Sequence, residues 1–281
     1  MQTFCGRIRN VYIEDRIFEI YYKKRIYHFH LTRSQMKKFE PYLQDGLYVF
    51  FKAFDESKKY GRYKAYDVIN FIKLVRHVGR KTIVYYDIQT IKEGVRKLLK
   101  KDGYRLFLDL EFTMPPYNYN HSSKEQFFSE IVQYGMYIED SSDGLIRPKC
   151  KLGISDRMLE FIHVSKEKLE HAPYYSKFYN KLRDYMMYYQ PTIYVWGKND
   201  YLMIDKSFKL HNVKPVTERK NYVNLMQIIK NYYGIKNDIG LYAAFELLGA
   251  KPPLEVQDHD ALHDASATLE VFHLFENEIN K

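Results

Sequence analysis

The chain is poor in cysteine and has no long apolar run. Its 281 residues include only Cys5 and Cys150 as cysteines, which are too few for a disulfide framework. Charged residues interrupt every hydrophobic stretch before the roughly 18 residues that a membrane span requires, and the opening MQTFCGRIRN contains no apolar signal region. These absences argue against membrane and disulfide-stabilised secreted classes, and they predict a soluble cytoplasmic protein.

Positive charge is concentrated at the start of the chain. Residues 1–80 contain 17 Lys and Arg against 8 Asp and Glu, whereas residues 81–281 contain 27 of each kind. The whole formal net charge of +9 therefore lies in the first 80 residues. Such asymmetry indicates a polyanion-binding segment joined to a second part, with a solvated lysine-rich surface as the alternative.

The first 80 residues predict a small all-β domain. Runs rich in β-branched and aromatic residues alternate with polar turns, which is typical of short strands. The predicted strands cover 3–14, 17–22, 25–31, 46–54 and 65–75. A helix over 32–43, with Ser34 as its N-cap, separates the third strand from the fourth. This order of elements, in which three strands precede a helix and two strands follow it, resembles that of the five-stranded OB barrel.

A basic OB-like barrel suggests binding of single-stranded nucleic acid, because stacked aromatic rings and a cationic groove recognise such strands. The candidate contacts are Tyr22, Lys23, Lys24, Arg25 and Tyr27. Strand side chains alternate between faces, so half of the aromatic residues must instead pack inside the barrel. His28 and His30, without a carboxylate or cysteine partner in the pattern, are interpreted as structural.

Residues 81–103 predict a linker helix between two domains. Ile88, Ile91 and Val95 recur at helical spacing, and Gly103 is a typical stop signal.

Two acids interrupt an apolar strand in LFLDLEF, residues 106–112. Asp109 and Glu111 point to the same side of a strand, since residues two apart share a face. Adjacent carboxylates in a low-dielectric site repel each other unless a positive group lies between them, and a divalent metal ion is the simplest such group. The pattern alone is weak evidence, because an exposed strand end has the same appearance.

Further candidate acids follow downstream. Residues 192–208 predict a buried strand, a turn at Gly197 and a helix start, which places Asp200 at the carboxyl end of a strand. Residues 258–275 predict a helix that carries His259 and, five residues later, Asp264. Taken singly, Asp200 is explained as an acid favoured by the helix dipole, and His259 as a surface residue.

The three motifs together resemble the DEDDh 3′–5′ exonucleases of the RNase H-like superfamily. They are DLE (109–111), Asp200 in WGKND, and HDALHD (259–264). LDLEFTMPP is similar to the first motif of the KapD-type bacterial branch, which is related to eukaryotic exonucleases that trim histone mRNA 3′ ends. The resemblance implies an α/β domain over 104–281, in which helices flank a mixed five-stranded RNase H-like sheet. Residues 1–80 lie outside it.

The resemblance also implies two divalent metal ions, Mg²⁺ or Mn²⁺, held by Asp109, Glu111, Asp200 and Asp264. Asp109 would bridge both ions, and His259 would accept the proton of the attacking water. His263 competes for this role, but the family pattern places the base five residues before the aspartate. The residues implied for the 3′-terminal nucleotide are Phe112, Thr113 and Met114.

The predicted function is therefore a metal-dependent 3′–5′ exonuclease that releases nucleoside 5′-monophosphates from single-stranded nucleic acid with a free 3′ end, RNA being favoured. In this interpretation the barrel captures the strand and supplies its 3′ end to the nuclease domain. One alternative is a DNA-directed exonuclease in repair or cleanup. The other is a nucleic-acid-binding protein with a retired nuclease fold, which is disfavoured because all five catalytic-type residues are present.

Overall fold

The computed structural model describes residues 1–120, 126–138, 140–235 and 237–280. It divides into two compact units: one comprises Met1–Leu98 with a short segment from Lys230, and the other comprises Leu99–Ile229 and the chain from Asn237 onward. The first is a small β domain and the second is a mixed α/β domain, which confirms the predicted fold class. Within these described ranges, no helix is both long and apolar enough to cross a bilayer.

The β domain contains a mostly antiparallel sheet with one short helix between its third and fourth strands. Its elements are β1 (Gln2–Tyr12), β2 (Ile17–Tyr22), β3 (Arg25–His30), α1 (Arg33–Phe39), β4 (Tyr48–Tyr60), β5 (Tyr63–Val78), β6 (Lys81–Asp87) and α2 (Ile88–Leu99). The strand order is β3-β2-β1-β4-β5-β6, and β3 also pairs in parallel with β5. This extra pairing closes the first five strands, which follow the predicted order.

An aromatic cluster fills the interior of the β domain. Phe4, Phe18, Phe29, Phe51 and Phe71 are almost fully buried. Their ring centroids lie 4.6–5.9 Å apart in edge-on, tilted and stacked contacts, a geometry that stabilises a core beyond the area it buries. Much of the aromatic content of the first 80 residues therefore belongs to the core.

Helix α1 begins two residues earlier than its predicted cap implies. The backbone N–H of Gln35 donates to Thr32 Oγ1 at 3.2 Å, and the backbone N–H of Thr32 donates to Gln35 Oε1 at 2.9 Å. The assignment of Ser34 as the N-cap is wrong, because Thr32 and Gln35 form a reciprocal capping box.

The predicted linker helix over 81–103 is wrong in its first third. Lys81–Asp87 forms β6, which pairs with β5 and places Ile83 opposite Arg76. The run TIVYY is rich in β-branched and aromatic residues and has a partner strand, so it extends the sheet. Helix α2 begins only at Ile88, where the Asp87 carboxylate accepts the backbone N–H of Gln89 at 3.0 Å.

The α/β domain is built on a sheet of order β11-β10-β7-β8-β9. Its strands are β7 (Arg105–Phe112), β8 (Ile131–Tyr137), β9 (Ser141–Leu145), β10 (Thr192–Val195) and β11 (Tyr222–Asn224). Strands β11, β10 and β7 are parallel, whereas β8 is antiparallel to both β7 and β9. The carboxyl ends of three neighbouring strands therefore meet at one edge, where open α/β sheets bind ligands.

Helices cover this sheet and complete the core. They are α3 (Asp156–Phe161), α4 (Lys166–Glu170), α5 (Tyr175–Tyr188), α6 (Asn199–Leu210), α7 (Leu225–Tyr233), α8 (Leu241–Leu247) and α9 (Ala261–Asn280). Leu106, Leu108 and Leu110 of β7 lie in one hydrophobic cluster with side chains of α5 and α6. Phe107 faces the other way and packs edge-on against Phe272 of α9, with ring centroids 5.3 Å apart.

Candidate active site

Strand β7 delivers two carboxylates to the same face. The leucines at 106, 108 and 110 are buried in the core, so alternation turns Asp109 and Glu111 toward the side that α9 covers. Asp109 is half-buried, and Glu111 is 9% exposed. The predicted orientation of this pair is the one observed.

Asp200 reaches the site from the neighbouring parallel strand. β10 ends at Val195, Gly197 adopts a φ of +102°, and α6 begins at Asn199. A left-handed residue at this turn is most easily a glycine. The Asp200 side chain is 4% exposed, and it accepts hydrogen bonds from its own backbone N–H and from that of Leu110 on β7.

His259 lies before α9 and not on it, which corrects the predicted helix over 258–275. The Asp260 carboxylate accepts the backbone N–H groups of Leu262 and His263 at 3.0 and 3.2 Å, so it caps the helix one residue after His259. His259 has a φ of +53°. The distance between the side chains of His259 and Asp264 therefore depends on the loop before α9 as well as on the helix itself.

Helix α9 approaches β8 closely enough to require a glycine. A Cβ atom on Gly135 would lie 2.2 Å from the carbonyl oxygen of Ala261, so a larger residue cannot fit without displacing the helix. Gln133, two residues earlier on the same strand, donates from Nε2 to Asp260 Oδ2 at 2.8 Å. The start of α9 is thereby fixed to the sheet, with Asp264 of its first turn only 2% exposed.

The predicted catalytic residues come together in one cleft of about 730 Å³. The side chains brought together there are Asp109, Glu111, Asp200, His259 and Asp264. One potential ligand atom each from Glu111, His259 and Asp264 can be chosen so that all three lie within 4.8 Å of one another. His259 Nδ1 lies 3.9 Å from Glu111 Oε1.

Burial and mutual repulsion raise the pKa values of the acids in the cleft. Burial contributes most to the pKa of Asp109, which lies well above its usual value, and the charges of Asp200 and Asp264 raise it further. Burial and the same two neighbours raise the pKa of Glu111 to about 8. Burial raises the pKa of Asp200 to about 7 although two backbone hydrogen bonds oppose it. The cleft therefore favours a cation at its centre.

Gln257 is a contact that sequence reasoning missed. Its Nε2 donates to Asp264 Oδ2 at 2.6 Å, while Asp264 Oδ1 is buried and has no hydrogen-bond partner among the described residues. Burial raises the pKa of Asp264 despite the Gln257 hydrogen bond. No motif identifies Gln257, because loop packing alone sets the contact.

His263, the competing base, is engaged elsewhere. Its Nδ1 lies 2.6 Å from Asp258 Oδ2, and its side chain is 59% exposed. Trp196 lines the cleft and donates from Nε1 to the carbonyl of Ile239 at 3.1 Å. These positions separate His263 from the group of acids and leave His259 as the histidine that lines the cleft.

The three residues predicted to contact the nucleotide have different surroundings. Phe112 lines the cleft. Thr113 is 2% exposed, and its backbone N–H and Oγ1 both bond the backbone of Glu130. Met114 is half-buried, and its carbonyl accepts the Ser155 hydroxyl. The backbone N–H of Thr113 is therefore already hydrogen-bonded within the domain.

The residues predicted to bind nucleic acid in the β domain are divided between two faces. Tyr22 and Tyr27 turn inward and pack against Phe4, with centroids 5.3 and 6.3 Å away. Lys23 and Lys24 occupy the exposed turn between β2 and β3, beside the exposed Arg25. The inward orientation of the two tyrosines follows from strand alternation.

The same two strands also carry an outward-facing pair of side chains. Tyr21 and Ile26 are opposite each other in the register and are 55% and 45% exposed. Tyr12 and Tyr63, both half-buried, form another ring pair, with centroids 5.0 Å apart. The sequence does not show which alternate residues of each strand face outward, because a register shift of one residue exchanges the two faces.

Residues 106–272 match the model of the exonuclease family, RNase_T. No curated protein sequence matches the chain.

The fold is similar to that of several solved nucleases. The nuclease domain of 3′hExo, a DEDDh family member bound to rAMP, has 17% identity and a TM-score of 0.52, over 64% of this chain and 94% of that one. A full-length 3′-exonuclease has 18% identity and a TM-score of 0.53, over 63% and 62%. A 3′-exonuclease that recognises the 3′ end of the histone mRNA stem-loop has 15% identity and a TM-score of 0.50, over 68% and 70%.

Proposed function

Because the chain belongs to the exonuclease family, we propose that it is a metal-dependent 3′–5′ exonuclease that releases nucleoside 5′-monophosphates from single-stranded nucleic acid, with RNA favoured. The observation that carries this proposal is the convergence of four carboxylates and one histidine on a single cleft. These residues come from four places in the domain: strand β7, the start of α6, the loop before α9 and the first turn of α9.

The carboxylates fit divalent metal ions. Asp264 Oδ1 is a buried acceptor to which no described residue donates, and burial with like-charge repulsion raises the pKa values of its neighbours. An all-oxygen set of this kind suits Mg²⁺ or Mn²⁺. The residues proposed to hold two such ions are Asp109, Glu111, Asp200 and Asp264. When bound, two ions supply an activated water, an in-line path and neutralisation of charge at phosphorus.

The chain's own groups then have distinct roles. His259 accepts a proton from the attacking water, since it lines the cleft and imidazole is the side chain most often used for this step. Gln257 holds the Asp264 carboxylate in place by its hydrogen bond of 2.6 Å. Phe112 and Met114 flank the 3′-terminal nucleotide, and the buried Thr113 fixes the segment between them to Glu130.

Two similarities to other nucleases favour RNA as the substrate. The first motif, LDLEFTMPP, is similar to that of the KapD-type branch. Two fold neighbours have been solved with RNA components, one with rAMP and one in 3′-end recognition of a histone mRNA stem-loop. Single-stranded RNA with a free 3′ end is therefore the substrate to test first, beside DNA of the same sequence.

The basic N-terminal part is proposed to be an OB-like nucleic-acid-binding domain over residues 1–80, whose sheet is extended by β6 to Asp87, and residues 104–281 are proposed to be the exonuclease domain. Its exposed turn lysines and the outward Tyr21 offer the cations and ring that single strands bind. Strong salt dependence of binding is expected, because phosphate contacts release counterions.

The test compares degradation of 5′-labelled single-stranded RNA and DNA oligomers with Mg²⁺, with Mn²⁺ and with EDTA. We expect a metal-dependent ladder that shortens from the 3′ end, with nucleoside 5′-monophosphates identified by mass spectrometry. His259→Ala should lower the rate by roughly 10²–10⁴-fold. His263→Ala is the matched control, since His263 is bonded to Asp258 outside the group of acids.

The opposite results are equally specific. Internal cleavage products would contradict the exonuclease assignment, and equal loss of activity in both histidine variants would remove the special role of His259. Binding of both oligomers without degradation under any metal condition would support the nucleic-acid-binding protein with a retired nuclease fold. Faster degradation of DNA would replace the RNA preference.

A further inference from the structure

An aromatic side chain from outside the sequence motifs packs directly on His259. Phe161, the last residue of α3, lies with its ring centroid 4.0 Å from that of His259, and the two ring planes differ by 26°. This is a stacked contact between a half-buried phenyl ring and an imidazole that is 37% exposed. It joins the connecting region after β9 to the loop that precedes α9.

His259 needs support because its backbone conformation is unfavourable. A φ of +53° lies in the left-handed region of backbone conformations, which residues other than glycine adopt less often. Such conformations persist where the surroundings over-determine them, and they cluster at functional sites. The helix cap formed by Asp260 fixes the chain on one side of His259, and Phe161 contacts its ring.

Helix α3 is itself fixed to the strand that carries the acids. The Ser155 hydroxyl donates to the carbonyl of Met114, two residues past β7, at 2.8 Å, and it accepts the backbone N–H of Met158 at 3.3 Å. Met158 and Ile162 are buried in a cluster with Val132 of β8. A continuous set of contacts therefore runs from β7 through α3 to the imidazole.

We infer that Phe161 is a positioning residue that holds the imidazole of His259 against the carboxylate of Glu111, 3.9 Å away. This inference rests on the proposed function, because it assigns a purpose to the orientation of the proposed base. Phe161 does not touch the reacting atoms in this role. Its removal should lower the catalytic rate and leave the affinity for substrate unchanged.

The competing role for a half-buried ring beside a nuclease cleft is stacking on a nucleobase. The two roles predict different kinetic effects, since a base-stacking residue contributes mainly to substrate binding and a positioning residue mainly to kcat. The two roles can be distinguished by measuring oligonucleotide affinity in a variant that does not degrade the substrate, such as Asp200→Asn.

The experiment uses the full chain with Phe161→Ala, Phe161→Tyr and a matched control, Leu159→Ala. Leu159 lies on the same helix and packs against the same hydrophobic cluster as Phe161, so it reports the cost of disturbing α3. The measurements are kcat and KM on single-stranded RNA, oligonucleotide affinity by fluorescence anisotropy in the Asp200→Asn background, and the imidazole proton signals of His259 by NMR without metal. The last are assigned by their loss in His259→Ala.

Phe161→Ala is expected to lower kcat by roughly ten- to a hundred-fold, as misplacement of a catalytic group does, with KM and affinity within about twofold. The His259 imidazole signals should shift, because the neighbouring ring current is lost. Phe161→Tyr should keep both kcat and the signals near wild type, and Leu159→Ala should change kcat by less than about twofold.

Three results would overturn the inference. They are a kcat for Phe161→Ala equal to that of Leu159→Ala, a weaker oligonucleotide affinity with kcat preserved, and unchanged His259 signals. If wild-type protein degrades RNA and His259→Ala does not, any of these rejects the role of Phe161 alone. If wild-type protein does not degrade RNA at all, the proposed function has failed, and the NMR signals still test the contact.

Discussion

Acidic side chains have opposite surroundings in the two units of this protein. In the β domain, three donors surround Asp67: Lys58 Nζ at 2.8 Å, His30 Nδ1 at 2.9 Å and the Tyr60 hydroxyl. Burial raises the pKa of Asp67, but the three hydrogen bonds outweigh it and lower the pKa to about 2. This carboxylate is held in its charged form and stabilises the fold.

In the α/β domain, Asp264 and Glu111 of the cleft have fewer donors among the described residues. Asp264 has one hydrogen bond from Gln257 and a buried oxygen without a partner among the described residues, and the pKa of Glu111 is raised to about 8 by burial and by neighbouring acids. An unsatisfied buried charge destabilises a fold. The comparison therefore separates acids that stabilise the protein from acids that fit a metal ion.

The histidines differ in the same way. The prediction that His28 and His30 are structural is consistent with their contacts, since His28 Nε2 lies 3.3 Å from Glu19 Oε2 and His30 Nδ1 lies 2.9 Å from Asp67 Oδ1. Each is paired with one acid, and Glu19 and His30 are buried. His259 instead shares its cleft with several acids, and the group it forms with Glu111 and Asp264 is the one that could hold a metal ion among the described residues.

The strongest test of this comparison is Asp109→Asn. We expect hydrolysis to fall by more than about a hundred-fold, because a proposed metal ligand is lost. The metal-free protein should become more stable by about 1 kcal/mol at pH 8, since the substitution removes a carboxylate whose pKa is raised by burial and repulsion. Nuclease assays and urea unfolding in EDTA measure the two effects.

Asp143→Asn is the matched control for this test, because Asp143 is an exposed acid on β9 of the same domain. It should change neither activity nor stability by a measurable amount. Loss of stability in Asp109→Asn without metal would contradict the interpretation that the acids of the cleft oppose folding.

Asp67→Asn should have the opposite effect on stability. We expect it to lower the free energy of unfolding by about 1–2 kcal/mol at pH 7, after allowance for solvent screening, and to leave nuclease activity unchanged. The folded pKa of about 2 lies below the ordinary 3.8, so the contribution is complete above pH 3.8 and is lost as the pH falls through about 2. Urea unfolding across this range measures the difference.

Asp45→Asn, at an exposed acid of the same β domain, controls for the loss of one negative charge. A difference between wild type and Asp67→Asn that stays constant from pH 5 to pH 2 would show that the ionised form is not what stabilises the fold.

The sequence predicted the acids of the cleft better than their surroundings. Asp109 and Glu111 were identifiable because strand alternation is fixed at two residues, and Asp200 because a turn glycine follows a buried strand. Phe161 and Gln257 have no comparable pattern, since their contacts depend on how two loops pack. The sequence alone does not separate TIVYY from the helix that follows it, because the pairing of this run with β5 is what makes it a strand.

The smallest expected effect concerns the turn between β2 and β3. Lys23 and Lys24 have φ values of +45° and +62°, as in the two-residue hairpin turns that favour Asn-Gly. The double variant Lys23→Asn, Lys24→Gly should therefore stabilise the protein by about 0.5–1 kcal/mol. It should also weaken oligonucleotide binding. The slope of the logarithm of the binding constant against the logarithm of the salt concentration should fall in magnitude by about 1.4, if each lysine neutralises one phosphate of a single strand.

Lys23→Gln with Lys24→Gln separates the two causes, because it removes the charges and keeps side chains at both left-handed positions. We expect this control to lose affinity and salt dependence to the same extent, without the gain in stability. Anisotropy titrations at several salt concentrations and urea unfolding provide both readouts. An unchanged salt slope in both variants would place the polyanion contact elsewhere, and would leave the lysines as a solvated turn that contributes only strain to the β domain.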